Sequence, residues 1–246
     1  MLTEERFSKI LMKLDELGSV SVQQLMVELN ASESTIRRDL NTLAAKGKLT
    51  KVHGGAILNE SSFSTKDDDL MDRKELNIDE KTKIAKYAAS LIEPTDFVFL
   101  DAGSTTEQMI NFIDVKATFV TNAITHAKKL ADKGIKVFIL GGEMKAITEA
   151  IVGEEAICSL EKYNFTKGFF GTNAVSATKG FTTPEVKEAM VKKKAMENCK
   201  NKFVLADSSK FGQISNIVFS DFEFATVITT NLEKESYKKL PNVVEI

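Results

Sequence analysis

Apolar residues recur at helical spacing through the first 45 positions and at strand spacing in much of the remaining chain. Phe7, Ile10, Leu11, Leu14 and Leu17 form one stripe, which predicts a helix with Thr3 placed to cap it and Gly18 to end it. Ser21 is followed three residues later by Gln24, a capping box that opens a short helix with Val22, Leu25 and Leu29 turned inward. Asn30 and Ala31 make a turn, and Ser32 then caps a third helix on which Ile36, Leu40 and Leu43 recur at i, i+4 and i+7 and must face a core. Lys46-Gly47-Lys48 stops that helix, and residues 49–58 alternate loosely around Gly54-Gly55, as a small hairpin or wing would. Three helices and a hairpin in this order predict an all-α winged helix-turn-helix domain.

After residue 75 the pattern changes to short β-rich runs that alternate with amphipathic helices, the signature of a mostly parallel sheet covered on both faces. Helices are expected over 79–92, from 104, from 123, over 154–162 and over 184–199, with strands over 97–101, 117–121, 136–140, 167–171, 202–206 and 224–229. The three prolines, Pro94, Pro184 and Pro241, sit at element edges, as their missing amide requires. The fold class is therefore α/β of Rossmann type behind a winged helix-turn-helix. The expected boundaries are 1–57 for the first domain, 58–74 for a linker and 75–246 for the second.

Composition fits two folded domains, with 246 residues, 43% of them hydrophobic and 28% charged. The longest apolar runs, such as 97–100 and 137–140, fall far short of the roughly 18 residues needed to cross a bilayer. Residues 1–6 carry two acids and no apolar core, so no secretion signal is expected and the cytoplasm is the expected compartment. Cys158 and Cys199 share no ligand-like spacing with His53 or His126, so both are expected to be free buried thiols, with no metal and no cofactor.

A net charge of −2 conceals an uneven distribution. Residues 30–53 hold five Lys or Arg against two acids, whereas residues 58–78 hold three against six. The positive patch coincides with the third helix and the wing, and the acidic, serine-bearing stretch reads as an exposed linker. On the third helix Arg37 and Arg38 lie on or beside the outer face with Ser34 and Thr35. A guanidinium fork can bond two acceptors on a guanine edge or grip a phosphate. Two adjacent arginines alone are an ordinary solvated face, but the two smaller helices before them supply the frame that a DNA reader needs. The expected contacts to double-stranded operator DNA are Ser32, Ser34, Thr35, Arg37 and Arg38 on the helix, with Lys51 and His53 on the wing.

A second motif, Asp101-Ala102-Gly103-Ser104-Thr105-Thr106, joins the end of the first long strand to a helix. In an open α/β sheet ligands bind there: Gly103 permits close approach, and first-turn amides with the Ser104, Thr105 and Thr106 hydroxyls favour an anion such as phosphate. The plainer reading is a helix cap in a tight turn; the glycine spacing and lysine of a Walker motif, and those of a dinucleotide fingerprint, are absent. Further polar or glycine residues stand at the same edge: Asn122, Gly142, Gly171 with Asn173, and Lys210 after Asp207. Five converging strand ends predict a pocket for a small phosphorylated polyol, with Lys210 as a cation and Asn122 and Asn173 for hydroxyls.

The amino-terminal pattern resembles the DeoR family of bacterial sugar-metabolism regulators. Arg6, Ile10 and Leu14 fall four apart, 17 residues separate Leu14 from Ser32, and Ser32, Thr35, Ile36, Arg37, Arg38, Asp39 and Leu40 complete the signature. The wing segment from Lys51 to Ala56 is similar too. Residues 75–235 resemble that family's sensor domain through Asp101 to Thr106, Val120-Thr121-Asn122, Gly141-Gly142, Phe170-Gly171-Thr172-Asn173, Gly180-Phe181-Thr182-Thr183-Pro184-Glu185 and Asp207 to Gly212. The resemblance implies a fold similar to ribose-5-phosphate isomerase and glucosamine-6-phosphate deaminase. It also implies a phosphorylated sugar whose binding weakens the DNA complex; a homodimer or homotetramer is expected because one winged-helix module is too weak by itself. The chain is similar to the fructose operon repressors of low-GC Gram-positive bacteria, which implies fructose 1-phosphate as effector.

Two other functions compete with a repressor. An isomerase needs a carboxylate base beside the sugar carbons. Where ribose-5-phosphate isomerase carries Asp-Gly-Ala-Asp-Glu, this chain has Phe170-Gly171-Thr172-Asn173-Ala174, which leaves Asp101, Glu143 or Asp207 as the candidate acids. The other is a constitutive DNA-binding module that uses an empty fold for dimerisation; it predicts no thermal shift with any sugar phosphate.

Overall fold

The computed structural model describes residues 3–46, 48–58, 62–63 and 75–246, so Gly47 and most of the expected linker lie outside the described residues. Contacts divide the chain into two compact units, Met1–Ser62 with Glu233–Leu240, and Phe63–Leu232 with Pro241–Ile246. The boundaries expected from the sequence assign 233–240 to the second domain, whereas these residues group with the first unit.

In the first unit, α1 (Thr3–Leu17), α2 (Val22–Leu29) and α3 (Glu33–Ala45) enclose a core in which Ile10, Leu14, Leu25, Ile36 and Leu40 are fully buried. Each such side chain contributes about 1.5–3 kcal/mol by leaving water. The capping box is formed: Gln24 N–H donates to the Ser21 hydroxyl at 3.1 Å and Ser21 N–H to the Gln24 side chain at 2.9 Å. Leu17, expected in the stripe, is 49% exposed, because it is the last helical residue before the chain turns away at Gly18 with φ 72°. The wing strands β2 (Leu49–Val52) and β3 (Gly55–Leu58) pair antiparallel, and a third strand not foreseen from the sequence, β1 (Ser19–Ser21), adds to β3. Gly55 makes that addition feasible, since a Cβ there would stand 2.1 Å from the Val20 carbonyl oxygen.

The second unit begins with α4 (Ile78–Ser90) and proceeds through β4 (Phe97–Leu100), α5 (Ser104–Met109), β5 (Thr118–Thr121), α6 (Ile124–Asp132) and β6 (Lys136–Ile139). A hairpin, β7 (Glu143–Lys145) and β8 (Ala150–Val152), leads to α7 (Glu154–Leu160) and β9 (Phe165–Gly171). Then come β10 (Ala174–Ser176), β11 (Gly180–Thr183), α8 (Val186–Glu197), β12 (Cys199–Leu205), β13 (Ile217–Ser220), β14 (Thr226–Thr229) and β15 (Val243–Glu245). Seven strands form a parallel sheet in the order β15-β14-β12-β9-β4-β5-β6. Strand order reverses between β4 and β9, which makes the gap beyond their carboxyl ends the topological switch point.

The central strands carry continuous buried runs, as a sheet covered on both faces requires. Phe99 stacks on Phe170 at 5.6 Å between ring centroids, and Phe169 on Phe203 at 5.1 Å, so aromatic packing spans the switch-point strands and their neighbour. β10, β11 and β13 form a separate antiparallel sheet that the sequence pattern does not announce. Cys199 is buried, but Cys158 is exposed on α7, contrary to the expectation that both thiols lie inside. Among the described residues, no helix is long and apolar enough to cross a membrane.

Candidate nucleic-acid interface and effector site

On α3 the Ser32 hydroxyl accepts from Thr35 N–H at 3.3 Å and lies 3.0 Å from the Ser34 hydroxyl and 2.9 Å from that of Thr35. Three hydroxyls thus cluster at the start of the reading helix. Arg37 and Arg38 are exposed, and Arg37 Nε donates to Glu33 one turn earlier at 2.7 Å, an exposed pair that holds the guanidinium without burying it. Lys51 on β2 is exposed and donates to the Asn41 side chain on α3, which ties the wing to the reader. His53, at the wing tip, is also exposed. Ser32, Ser34, Arg37, Arg38, Lys51 and His53 all present surface, and Thr35 is half-buried.

Two contributors went unread in the sequence. Asn41 is one; the other is the ion pair in which Arg6 Nε donates to Asp39 Oδ2 at 2.6 Å and an Arg6 terminal nitrogen to Oδ1 at 3.0 Å. Asp39 is 3% exposed and sits between Ile36, Leu40 and Leu43 on the buried side of α3. A carboxylate in an apolar stripe demands a cation, and that was the available signal.

In the second unit a cavity enclosing about 50 Å³ opens at the switch point. Gly103, Ser104 and Thr105 line it from the end of β4, and Gly171, Thr172 and Asn173 from the end of β9. Three lysines border it: Lys81 from the first turn of α4, Lys192 from α8 and Lys210 from the turn after β12. A space of this size holds a phosphate-sized group and leaves the rest of a sugar to extend toward its mouth. With α5 only six residues long, its dipole is slight, so any attraction for an anion comes from the lysines, set against Glu188 and Asp207, which line the same cavity.

The buried charges around it form a connected set. Lys192 donates to Asp101 Oδ2, which also accepts from Gly171 N–H at 3.0 Å, and to the Gly171 carbonyl at 3.0 Å. Asp101 is 1% exposed; burial pushes its carboxyl above the ordinary range, against the pull of Lys192. Asp101 Oδ1 is buried with no hydrogen-bond partner among the described residues. Burial also pushes Glu188 upward, but Lys192, the Thr148 hydroxyl at 2.6 Å and Lys145 at 3.2 Å outweigh it and hold that carboxyl below its usual value.

The residues expected at the site divide in two. Gly103, Ser104, Thr105, Gly171, Asn173 and Lys210 line the cavity. Asp101, Thr106, Asn122 and Gly142 stand behind it or away from it. The Thr106 hydroxyl donates to the Asp101 carbonyl at 2.6 Å. Asn122 is 2% exposed and has both ends occupied, accepting from Ala102 N–H at 2.9 Å and donating to the Ile151 carbonyl at 3.4 Å, so it is not available to a sugar hydroxyl. Gly142, at φ 140°, belongs to the β7–β8 hairpin, where a Cβ would meet the Val152 carbonyl oxygen at 2.7 Å. The reason is the sheet order: β5 and β6 lie one and two strands beyond β4 on the side away from β9, each step about 4.8 Å.

Lys81, Lys192 and Glu188 were missed. Lys81 shares the buried stripe of Ile84, Ala85 and Ala88, and Glu188 and Lys192 share that of Ala189, Ala195 and Met196, so each charge stands on an apolar face. Of the candidate isomerase acids, Asp101 is engaged by Lys192, Glu143 is exposed and bonded by Lys187 at 2.5 Å, and only Asp207 reaches the cavity.

A family model described as the DeoR C terminal sensor domain matches residues 76–231, and one described as the DeoR-like helix-turn-helix domain matches residues 6–62. The chain is 43% identical over 239 residues to the uncharacterized HTH-type transcriptional regulator FruR of Bacillus subtilis (strain 168), covering 96% of this chain and 94% of that one. It is 35% identical over 247 residues to a lactose phosphotransferase system repressor of Staphylococcus epidermidis, covering 98% of each. Among solved structures, ribose 5-phosphate isomerase A of Methanocaldococcus jannaschii is similar over 55% of each chain at 19% identity and a TM-score of 0.42. The delta subunit of eIF2B from Chaetomium thermophilum is similar over 62% of this chain and 56% of that one, at 17% identity and a TM-score of 0.45. With both halves matched and with regulators and repressors as full-length relatives, the chain belongs to the DeoR family and is a helix-turn-helix transcriptional regulator, not an enzyme.

Proposed function

We propose that the protein represses a sugar phosphotransferase operon and that a phosphorylated sugar, held at the switch-point cavity, releases it from operator DNA. The names of its relatives, a FruR regulator and lactose phosphotransferase system repressors, support the operon class, and fructose 1-phosphate is the first effector to test. The observation that carries the reading is the cavity itself: three lysines from three elements converge beside the glycine and hydroxyl turn after β4. In this reading Ser32, Ser34, Thr35, Arg37, Arg38, Lys51 and His53 contact DNA. Gly103, Ser104, Thr105, Gly171, Asn173 and Lys210 contact the effector, while Asp101, Thr106, Asn122 and Gly142 shape the surrounding turns.

The protein works in the cytoplasm as a homodimer or homotetramer, because paired half-sites multiply the weak attraction of one winged helix. The effector can release DNA only by its differential affinity for the free and DNA-bound arrangements. A thermal-shift screen of sugar phosphates tests this, since a ligand at 100 times its dissociation constant adds about 2.7 kcal/mol of stability. A hit that also dissociates a promoter fragment supports the reading; retention of that fragment with every sugar phosphate offered overturns it.

A further inference from the structure

One wall of the cavity is made by residues just before and within the first turn of α4. Leu76 and Lys81 line it, and between them Asn77 and Glu80 bind the turn that supplies the facing residues Asp207 and Lys210. Asn77 Nδ2 donates to Asp207 Oδ1 at 2.9 Å and to the Ser209 hydroxyl at 3.2 Å. Glu80 accepts from Ser208 N–H at 2.8 Å and from the Ser208 hydroxyl at 3.0 Å. Four hydrogen bonds thus fasten the start of α4 to residues 207–210.

The backbone is committed to this clamp. Asn77 takes the left-handed conformation, φ 53°, at the residue preceding α4, where its side chain would ordinarily cap the helix; instead its amide reaches across to Asp207, and the helix goes without that cap. Its carbonyl accepts from Lys81 N–H at 3.0 Å, so the residue that faces the cavity and the residue that holds the clamp are one helical turn apart. Lys81 is 4% exposed although it is a lysine in a first turn, where a cation opposes the helix dipole.

We propose that residues 75–81 transmit effector occupancy to the DNA-binding unit: Lys81 engages the anion, and the Asn77 and Glu80 clamp on residues 207–210 converts that engagement into a fixed end for the linker. The inference rests on the proposed effector site and adds to it the element that carries the signal. Asn77 and Glu80 are positioning residues; neither lines the cavity. An effector bridging Lys81 and Lys210 acts on both sides of the clamp, and a chain whose clamp is cut would still bind the effector but would no longer convey it.

The test uses the full-length protein with Asn77→Gly, which keeps the left-handed backbone and deletes only the amide, and separately Glu80→Gln. Fructose 1-phosphate is the probe, with the other sugar phosphates of the screen and inorganic phosphate as further arms. Probe affinity is read by calorimetry and release from a promoter fragment by fluorescence anisotropy. Both variants are expected to hold the fragment as the wild type does without probe and to bind probe within a few-fold of wild type. The factor by which saturating probe weakens the DNA complex is expected to fall about tenfold. Wild-type release by both variants overturns the proposal, as does a loss of release that only tracks a loss of probe affinity. If the wild type itself binds none of the probes, the effector site fails and this inference fails with it, a result distinct from the other two.

Discussion

Arg6 of the first helix grips Asp39 of the reading helix through two parallel hydrogen bonds, 2.6 and 3.0 Å long, and this pair sets how the reader stands on its frame. Ser34, Arg37 and Arg38 point outward because Asp39 is anchored inward. Arg6→Met leaves a 3% exposed carboxylate without its fork, so the amino-terminal unit is expected to melt several degrees lower and operator affinity to drop. Arg6→Lys is expected to rescue only partly, because an ammonium cannot make the bidentate contact. Circular dichroism melts and anisotropy titrations check both outcomes.

Arg37 is held by Glu33 at 2.7 Å on the exposed face. Its replacement by alanine is expected to cost about 1 to 3 kcal/mol in operator binding and to relax base preference. Equal weakening on every sequence offered would restrict Arg37 to phosphate contact.

Lys210 and Lys192 both border the cavity but differ in what else they hold. Lys210 is half-buried, and Lys210→Ala is expected to leave the melting temperature unchanged while abolishing the shift produced by a sugar phosphate. Lys192 neutralises Asp101, so Lys192→Met strands a buried carboxylate and is expected to cost about 3–5 kcal/mol, much of it recovered by adding Asp101→Asn. Chemical denaturation of the three proteins without effector checks the recovery.

Acid stability follows from Glu188. Its folded carboxyl lies below the ordinary 4.5, so the unfolded chain takes up the proton first. The stabilisation is present above about pH 4.5 and is lost as pH falls through the lower folded value. Glu188→Gln is expected to flatten the melting temperature against pH in that acid range; an unchanged slope would assign the acid loss to other carboxylates, such as Asp96, which burial pushes up but which Lys167 at 2.7 Å helps hold below its usual value.

The cysteines give a direct check on the core. Burial pushes the Cys199 thiol up to about 12, whereas Cys158 is exposed. A thiol reagent at pH 8 is expected to modify one cysteine in the native protein and two after denaturation, with Cys158→Ser removing the native reaction.

The winged helix-turn-helix was legible because its caps and stripes are local: Ser21, Gln24 and Ser32 do in the fold what their spacing implies. The parallel strands were legible because burial on both faces writes an apolar run such as residues 97–100. β1, β7 and β10 were not, since three residues in an antiparallel ladder leave no period to read. The cavity edge was visible in its glycines, its hydroxyls and Lys210, but Lys81 and Lys192 were not, because both lie inside helices that read as amphipathic. Asn122 and Gly142 were misplaced since the sequence orders strands in time, and only the sheet decides which of them become neighbours.

The seam between β4 and β9 joins Asp101 to Gly171, 70 positions apart, and Lys210 closes it from farther still. A ribosome has therefore delivered the whole helix-turn-helix long before it completes the cavity. Any chain cut short of residue 210 lacks part of that cavity's wall, although its helix-turn-helix is already complete.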